Sequence, residues 1–289
     1  VSAFKQFQGR FSSMVSVIVS VLQVIPMFER LAPILKATVE SNTLTEDPGE
    51  LRGNIELNNI GFRYKKGGPL ILNGINMKIK AGEQVAFVGP SGSGKSTIMR
   101  LLIGFERAQK GSILFDGMNY RTLDIDAVRK QFGVVLQHGK LLPGSIYQNI
   151  VGSSNLSLEQ AMEAARMAGM EEDIAQMPMG MHTVLGAGNT LSGGQMQRLM
   201  IARAIVHKPR FLFFDEATSA LDNKTQEIVT RSLDQFQATR IIVAHRLSTI
   251  MKVDRIYVID KGQLAETGTF EELMKAGGLF SELAKRQMI

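Results

Sequence analysis

The chain has 289 residues, of which 44% are hydrophobic, so it can bury a large core in one or two domains. It contains no cysteine, which excludes disulfides and thiolate metal sites and suits a reducing compartment. The net charge is +6, but lysines and arginines are interspersed with acids and form no run longer than a pair such as Lys65-Lys66, so we predict no nucleic-acid partner. Because the chain begins at Val1 and not at methionine, we expect it to be a piece of a longer protein.

Residues 11–28 form an uncharged, largely apolar segment between Arg10 and Glu29. A helix of this length spans about 27 Å, slightly less than the ~30 Å hydrocarbon core of a membrane. Two interpretations stay open: a buried globular helix, or the cytoplasmic end of a membrane helix. Polar residues at three- and four-residue spacing share one face of this helix, at Ser13, Ser16, Ser20 and Gln23. We expect this face to serve close helix packing in preference to lining a substrate path.

The remainder predicts a linker and one nucleotide-binding domain. Residues 1–37 belong with the apolar helix, residues 38–50 are polar and turn-rich, and the domain spans 51–289. Short strands near 55–60 and 74–79 predict an early antiparallel sheet, whereas residues 138–207 are rich in helix formers and methionines and predict a helical insertion. Apolar runs without alternation, at 211–214 and 241–244, predict parallel strands buried on both faces. The predicted fold is therefore α/β, with an antiparallel β subdomain and a helical insertion, preceded by the apolar helix.

A phosphate-binding loop is predicted by Gly89-Pro-Ser-Gly-Ser-Gly-Lys-Ser-Thr97, which matches G-x-x-x-x-G-K-[ST] between an apolar run and helix formers. Glycines let the backbone N–H groups point at a phosphate chain, and the helix N-terminus adds partial positive charge. Lys95 is predicted to reach the β- and γ-phosphates, and the Ser96 hydroxyl to bind Mg²⁺. The residues predicted to bind a nucleoside triphosphate are Gly89, Ser91, Gly92, Ser93, Gly94, Lys95, Ser96 and Thr97.

Two acids, Asp215 and Glu216, follow the buried run at 211–214 directly. In open α/β sheets, ligands bind outside the carboxyl ends of the strands. We therefore predict that Asp215 ligates Mg²⁺ and that Glu216 activates the attacking water as general base. The alternative is that both acids cap the next helix.

Two further polar residues follow predicted core strands. His245 comes after 241–244 and is predicted to contact the γ-phosphate, although a lone histidine is more often structural. Gln137 comes after 133–136, and its amide is predicted to meet both the metal and the attacking water. Taken alone, the position of Gln137 is equally compatible with a functional role and with a purely structural one.

A second anion site is predicted by Leu191-Ser-Gly-Gly-Gln195, which immediately precedes a helix predicted at 196–205. Serine and paired glycines at a helix N-terminus expose backbone N–H groups. Two phosphate-binding surfaces in one chain indicate that two copies stack head to tail, each completing the nucleotide site of the other.

Together these residues resemble the ATP-binding domain of ABC transporters, over about residues 51–289. The run 191–195 resembles the signature motif of that family, and it occurs beside the phosphate loop and Asp215-Glu216. The resemblance implies a P-loop NTPase core of the RecA-like type, ATP as the nucleotide, and a dimer closed by two ATP molecules. It also implies that the signature residues of one copy act on ATP bound by the other: Ser192, Gly193, Gly194 and Gln195.

The same resemblance implies roles for four other sites. Residues 219–222 resemble the dimer-contacting D-loop, Gln137 the glutamine of the Q-loop, and His245 the switch histidine. Tyr64 matches the aromatic residue that stacks on adenine.

The apolar N-terminal segment resembles the last membrane helix of exporter-type half-transporters, and residues 134–145 are most similar to exporters of bacteriocins and other processed peptides. This implies a membrane domain in the same polypeptide, a homodimer at the cytoplasmic face of a bacterial inner membrane, and a peptide or lipid-like substrate. One departure concerns transmission to the membrane domain: exporters usually carry a glutamate where this chain has Gly186 or Ala187.

Two other functions are alternatives to this one. A soluble ABC ATPase acting on nucleic acid or ribosomes usually carries two linked ATP domains or a coiled-coil insertion, and neither is visible in the sequence. A regulatory module without catalysis is disfavoured by the complete set Lys95, Asp215, Glu216 and His245.

Overall fold

The computed structural model describes residues 1–37, 45–137, 139–186, 191–215, 223–244 and 246–287. The chain divides into two compact units, Val1–Thr43 and Leu44–Ile289.

The first unit consists of one helix, α1 (Ser2–Leu35), which is longer than the apolar segment and continues through Pro26 and Pro33. Its 34 residues span about 51 Å. By length and composition α1 is able to cross a membrane, and none of its residues, all of which are described, is buried. Three serine hydroxyls of the polar face donate to backbone carbonyls four residues earlier, at 2.9–3.0 Å, in Ser13, Ser16 and Ser20. These hydroxyls are thus satisfied within the helix.

The second unit begins with an antiparallel sheet. Its strands are β1 (Ile55–Phe62), β2 (Leu72–Ile79), β4 (Lys110–Phe115) and β5 (Met118–Asn119), in the order β2-β1-β4-β5. β1 pairs antiparallel with β2 and β4, and irregularities interrupt its register between Leu57 and Gly61. The predicted antiparallel β subdomain is observed.

A six-stranded sheet forms the centre of the domain. Its strands are β3 (Gln84–Val88), β6 (Phe132–Val135), β9 (Phe211–Asp215), β10 (Thr239–Val243), β11 (Arg255–Asp260) and β12 (Gln263–Gly268), in the order β12-β11-β3-β10-β9-β6. The strands from β11 to β6 are parallel, and β12 pairs antiparallel with β11. The unalternating run at 211–214 lies inside β9, as predicted for a strand covered on both faces. Of the run at 241–244, residues 241–243 lie inside β10 and Ala244 lies just past its end.

Helices cover this sheet and form the insertion. Outside the insertion lie α2 (Lys95–Leu102), α3 (Ile125–Arg129), α8 (Asn223–Asp234), α9 (Leu247–Ile250), α10 (Phe270–Ala276) and α11 (Leu279–Gln287). The insertion contains α4 (Ile146–Val151), α5 (Leu158–Met167), α6 (Glu171–Ala175), α7 (Gly193–Ile205) and the short pair β7 (Gly144–Ser145) and β8 (Val184–Leu185). The long helix α7 also packs on the sheet, because Leu199 and Ile205 share a buried cluster with Val135 and Phe214.

Aromatic rings join the two sheets. Phe115 of β4 lies 5.2 Å from Phe211 of β9 and 5.5 Å from Phe132 of β6, measured between ring centroids. Phe132 in turn lies 5.0 Å from Phe213. These edge-to-face and tilted contacts fix the antiparallel sheet against the parallel one, with α2 packed into the same core.

The C-terminal half of the predicted linker is held on the domain, whereas residues 38–44 lie outside the described part of the chain. Glu46 accepts from the Asp124 N–H at 2.8 Å and donates its own N–H to Thr122 at 2.9 Å. The Gln131 side chain accepts from the Leu51 N–H at 2.8 Å and donates to the Gly49 carbonyl at 2.7 Å. The chain therefore docks on the domain before β1 begins.

Asp116 holds the next part of this entry segment. Its carboxylate accepts hydrogen bonds from the backbone N–H groups of Arg52, Gly53 and Asn54 and from the Asn54 side chain. Burial by itself raises the pKa of Asp116, but the hydrogen bonds from Asn54, Arg52 and Gly53 outweigh it, so the pKa lies below 3.8.

We expect Asp116→Asn to lower the free energy of unfolding by about 1–2 kcal/mol at pH 7, because the ionised acceptor of several N–H groups is lost and the site is partly exposed. The folded-state pKa is depressed, so the contribution of the carboxylate is present above the unfolded pKa and is lost as pH falls through the folded value. The difference between wild type and variant should therefore be constant above about pH 5 and shrink below about pH 4.

Urea unfolding at pH 7, 5 and 3.5 measures this. Asp254→Asn is the control, since that carboxylate accepts one hydrogen bond within the described residues, from the Gln84 N–H at 2.8 Å, and should lose less. A difference for Asp116→Asn that does not change with pH would contradict the expectation.

Candidate nucleotide-binding site

The phosphate loop connects β3 to α2, as predicted, and its shape requires glycine at two positions. Gly89 has φ +152°, and a Cβ there would lie 2.0 Å from the Ile259 carbonyl oxygen. Gly94 has φ +111°, and a Cβ there would lie 2.7 Å from Leu72 Cδ2. Strand β11 and the start of β2 therefore leave room for backbone alone, which explains the loop glycines by packing as well as by phosphate access.

Lys95 is the first residue of α2, and its side chain folds back over the loop. Its ammonium donates to the carbonyls of Gly89 at 2.8 Å and Pro90 at 2.9 Å, and lies 3.5 Å from Ser93 Oγ. The residue is only 6% exposed. The charge is thus held at the loop itself, within reach of anything that the loop binds.

The structure brings Tyr64 to the same place. Its hydroxyl lies 3.2 Å from Thr97 Oγ1 in the first turn of α2, and its ring meets Phe62 edge to face at 4.9 Å. The residue is 52% exposed, which leaves an aromatic surface beside the phosphate loop. Such a surface suits stacking on a nucleotide base.

Three predicted metal ligands are on elements that meet at one edge of the sheet. Asp215 ends β9, Gln137 lies two residues past the end of β6, and Ser96 follows the loop after β3. Since β3, β9 and β6 are parallel, their carboxyl ends lie at the same edge. A hydroxyl, an amide and one carboxylate are hard oxygen donors, and Mg²⁺ in nucleotide sites usually takes one or two carboxylates together with substrate phosphates. The donor set therefore fits Mg²⁺.

Two predicted catalytic residues, Glu216 and His245, lie outside the described residues, as do 219–222 of the predicted D-loop and Ala187. Glu216 follows Asp215 directly in sequence and His245 follows β10 by two residues, so their roles stay predictions. Gly186 is described, and a Cβ there would meet nothing within 4 Å. The described surroundings therefore leave space for the acid that exporters usually carry near this position.

The signature residues start a helix earlier than predicted. Helix α7 begins at Gly193, not at Met196, because Ser192 caps it: Ser192 Oγ accepts from the Gln195 N–H at 3.2 Å, and Gln195 Oε1 accepts from the Ser192 N–H at 2.9 Å. Gly193 and Gly194 consequently form the first turn, where backbone N–H groups have no partner within the helix. This is the geometry of an anion-binding helix N-terminus.

Two residues that the sequence reasoning missed fix the orientation of that helix start. Gln195 Nε2 donates to Asp173 Oδ1 of α6 at 2.7 Å, and Arg198 donates to Asp173 Oδ2 at 2.7 Å. Both the amide oxygen and the amide nitrogen of Gln195 therefore form hydrogen bonds within its own chain. No local sequence signal pairs Asp173 with α7, since the contact depends on how α6 packs.

A third missed residue, Arg203, ties α7 to the segment after Gln137. Arg203 donates to the Asn149 carbonyl at 2.7 Å and to Asn149 Oδ1, and it lies 3.4 Å from the Lys140 carbonyl. Asn149 in turn exchanges two hydrogen bonds with the Leu142 backbone, both at 2.9 Å. Burial lowers the pKa of the Arg203 guanidinium from its ordinary value.

Comparison with known proteins agrees with this geometry. The family model described as "ABC transporter" matches residues 72–219. The chain is 43% identical over 264 residues to the leukotoxin export ATP-binding protein LtxB of Aggregatibacter actinomycetemcomitans, and 44% identical over 264 residues to the alpha-hemolysin translocation ATP-binding protein HlyB of Escherichia coli O157:H7. Each alignment covers 90% of this chain but 37% of the relative, so the chain spans little more than a third of their length.

A solved structure gives the same result at the level of the fold. A bacterial Atm1-family ABC exporter with ATP bound is similar with a TM-score of 0.83 and 36% identity, over 92% of this chain and 47% of that chain. These comparisons give no support to a soluble ATPase acting on nucleic acid or ribosomes. The chain belongs to the ABC transporter family, and it contains the ATP-binding domain of that family with the P-loop NTPase fold.

Proposed function

We propose that this chain is the ATP-hydrolysing motor domain of an exporter, in which two copies close head to tail over two ATP molecules. The observation that supports this best is the presence of two helix N-termini suited to phosphate in one chain, at α2 and α7. Helix α2 starts at the phosphate loop after β3, whereas the start of α7 is held by Asp173 in the helical insertion. In the proposed dimer, the start of α7 in one copy completes the nucleotide site at the phosphate loop of the other copy.

The proposed chemistry uses the sheet edge. Gly89, Ser91, Gly92, Ser93, Gly94, Lys95, Ser96 and Thr97 bind the phosphates, and Tyr64 stacks on adenine. Ser96, Gln137 and Asp215 would hold Mg²⁺, which would supply neutralisation of the phosphate charge. Glu216 takes a proton from the attacking water, His245 and Gln137 orient the γ-phosphate and that water, and Ser192, Gly193 and Gly194 of the partner copy close the site.

We further propose that the motor acts at the cytoplasmic face of a bacterial inner membrane, with a membrane domain in the same polypeptide and a toxin or other peptide as substrate. Helix α1 supports the membrane domain by its length and apolar composition. The relatives LtxB and HlyB are named for leukotoxin export and alpha-hemolysin translocation, and both are longer than this chain. Within this proposal, a bacteriocin is a more specific candidate for the exported peptide.

A matched pair of serine variants tests the head-to-tail site. Ser192 caps α7 and Ser157 caps α5 with the same capping box, in which the serine hydroxyl accepts at 3.2 Å in both. Each serine is exposed. We expect Ser192→Ala and Ser157→Ala to lose about 1 kcal/mol of stability alike, because each removes one cap. We expect Ser192→Ala alone to reduce ATP hydrolysis, by roughly tenfold, because one partner contact to phosphate is lost.

The full-length protein in lipid vesicles is the sample, with phosphate release as the rate and thermal unfolding as the stability measurement. Equal hydrolysis by the two variants would contradict a role of the α7 N-terminus in the partner's site.

A further inference from the structure

The turn between β11 and β12 lies against the back of the phosphate loop. It has two residues, Lys261 and Gly262, between the paired positions Asp260 and Gln263. Both turn residues have positive φ, 47° and 76°, which is the geometry of a type I′ hairpin turn. A hairpin turn of this kind requires nothing outside its own two strands.

The polar groups of Gly262 are nevertheless used outside the hairpin. Its N–H donates to the Ser93 carbonyl in the phosphate loop at 3.0 Å, and its carbonyl accepts from the Asn73 N–H of β2 at 2.8 Å. Gly262 thus connects the loop to the antiparallel sheet through backbone atoms alone.

This contact leaves no room for a side chain. A Cβ at position 262 would lie 2.1 Å from the Ile71 carbonyl oxygen and 2.9 Å from the Ile71 carbonyl carbon, both backbone atoms. The Cβ position of Gly94 is only 3.9 Å from the Gly262 Cα. Three backbone segments are therefore packed together at the loop, and each holds the others in place.

The consequence for the loop follows from peptide geometry. The peptide bond between Ser93 and Gly94 is trans and planar, so the Ser93 carbonyl and the Gly94 N–H point in opposite directions. When Gly262 holds that carbonyl on the outer side, the Gly94 N–H is directed to the inner side of the loop. An N–H group fixed in advance binds an anion better than one that must first be ordered.

We propose that Gly262 is a positioning residue for nucleotide binding, which acts by orienting the peptide 93–94 so that the Gly94 N–H faces the phosphate chain. This rests on the proposed binding of ATP by the loop. Gly262 itself touches no nucleotide in this role.

Gly82 provides a matched control. It has the same φ, +76°, it also lies in a turn, and its N–H also donates a hydrogen bond, to Thr239 Oγ1 at 2.9 Å. A Cβ at Gly82 would meet nothing within 4 Å. Gly262→Ala and Gly82→Ala therefore share the backbone strain and differ in the displacement of the phosphate loop.

The experiment measures the Kd of a fluorescent ATP analogue with Mg²⁺ and the amide hydrogen exchange of the nucleotide-free, detergent-solubilised chain. We expect Gly262→Ala to raise the Kd by about tenfold or more and to speed exchange at 92–95, while β9 and β10 stay protected. We expect Gly82→Ala to leave both unchanged. Gly262→Asn is the second variant, because asparagine tolerates positive φ in type I′ turns and so keeps the hairpin while still displacing Ile71.

Each result decides the proposal. A Kd for both Gly262 variants within about twofold of that of Gly82→Ala would overturn it. Loss of protection across the whole parallel sheet in both Gly262 variants would also overturn it, since it would show a general role in stability. A wild-type chain that binds no ATP would instead refute the proposed function, while the exchange measurement, made without nucleotide, would still report on the loop.

Discussion

We expect the Glu216→Gln variant to lose ATP hydrolysis by about 10²–10⁴-fold while it still binds ATP. Glutamine has nearly the shape of glutamate but cannot accept a proton from water, so the chemical step is removed and the binding contacts remain. In the sequence, Glu216 comes directly after Asp215, and Asp215 ends β9 at the same edge of the sheet as the phosphate loop. With hydrolysis blocked, the ATP-bound dimer should accumulate.

Phosphate release gives the rate, and size-exclusion chromatography with and without ATP gives the dimer. Glu227→Gln is the control, since Glu227 lies on α8 in an exposed ion pair with Arg231 at 2.7 Å and should leave the rate unchanged. Unchanged turnover in Glu216→Gln would show that Glu216 is not the general base.

Lys95→Ala is expected to act one step earlier, on binding. Loss of a hydrogen bond from a charged donor costs about 1.5–3 kcal/mol, so the Kd for ATP should rise about 10- to 100-fold. The ammonium also holds the carbonyls of Gly89 and Pro90 together, so the loop loses part of its own order as well. Hydrolysis at low ATP should fall in parallel.

Titration with a fluorescent ATP analogue measures the Kd. Lys78→Ala serves as the control, because Lys78 pairs with Glu56 at 2.7 Å with its side chain 73% exposed, away from the described loop contacts. An ATP affinity within about twofold of wild type would contradict the position assigned to Lys95. Together the two variants separate binding from chemistry.

Much of the site was predictable because its signals are local. The loop at 89–97 is recognisable from its spacing, and the structure confirms the strand, loop and helix order around it. The runs at 211–214 and 241–244 are recognisable as parallel strands because both faces are apolar. Element ends were less accurate: α7 begins three residues before the predicted start because a Ser192–Gln195 capping box extends it.

The sequence by itself determined the chemistry of this protein: a loop that binds phosphates, two acids after a buried strand, and a serine-capped helix start. Each depends on residues within a few positions of one another. Only the tertiary structure decided what holds those groups, namely Asp173 under the start of α7, Arg203 beside the segment after Gln137, and Gly262 behind the phosphate loop. These contacts join residues that are far apart in the chain, and Gly262 acts through its backbone, so no side-chain pattern announces it. The orientation of a backbone N–H is set by what packs against it, and packing appears only when the chain is folded.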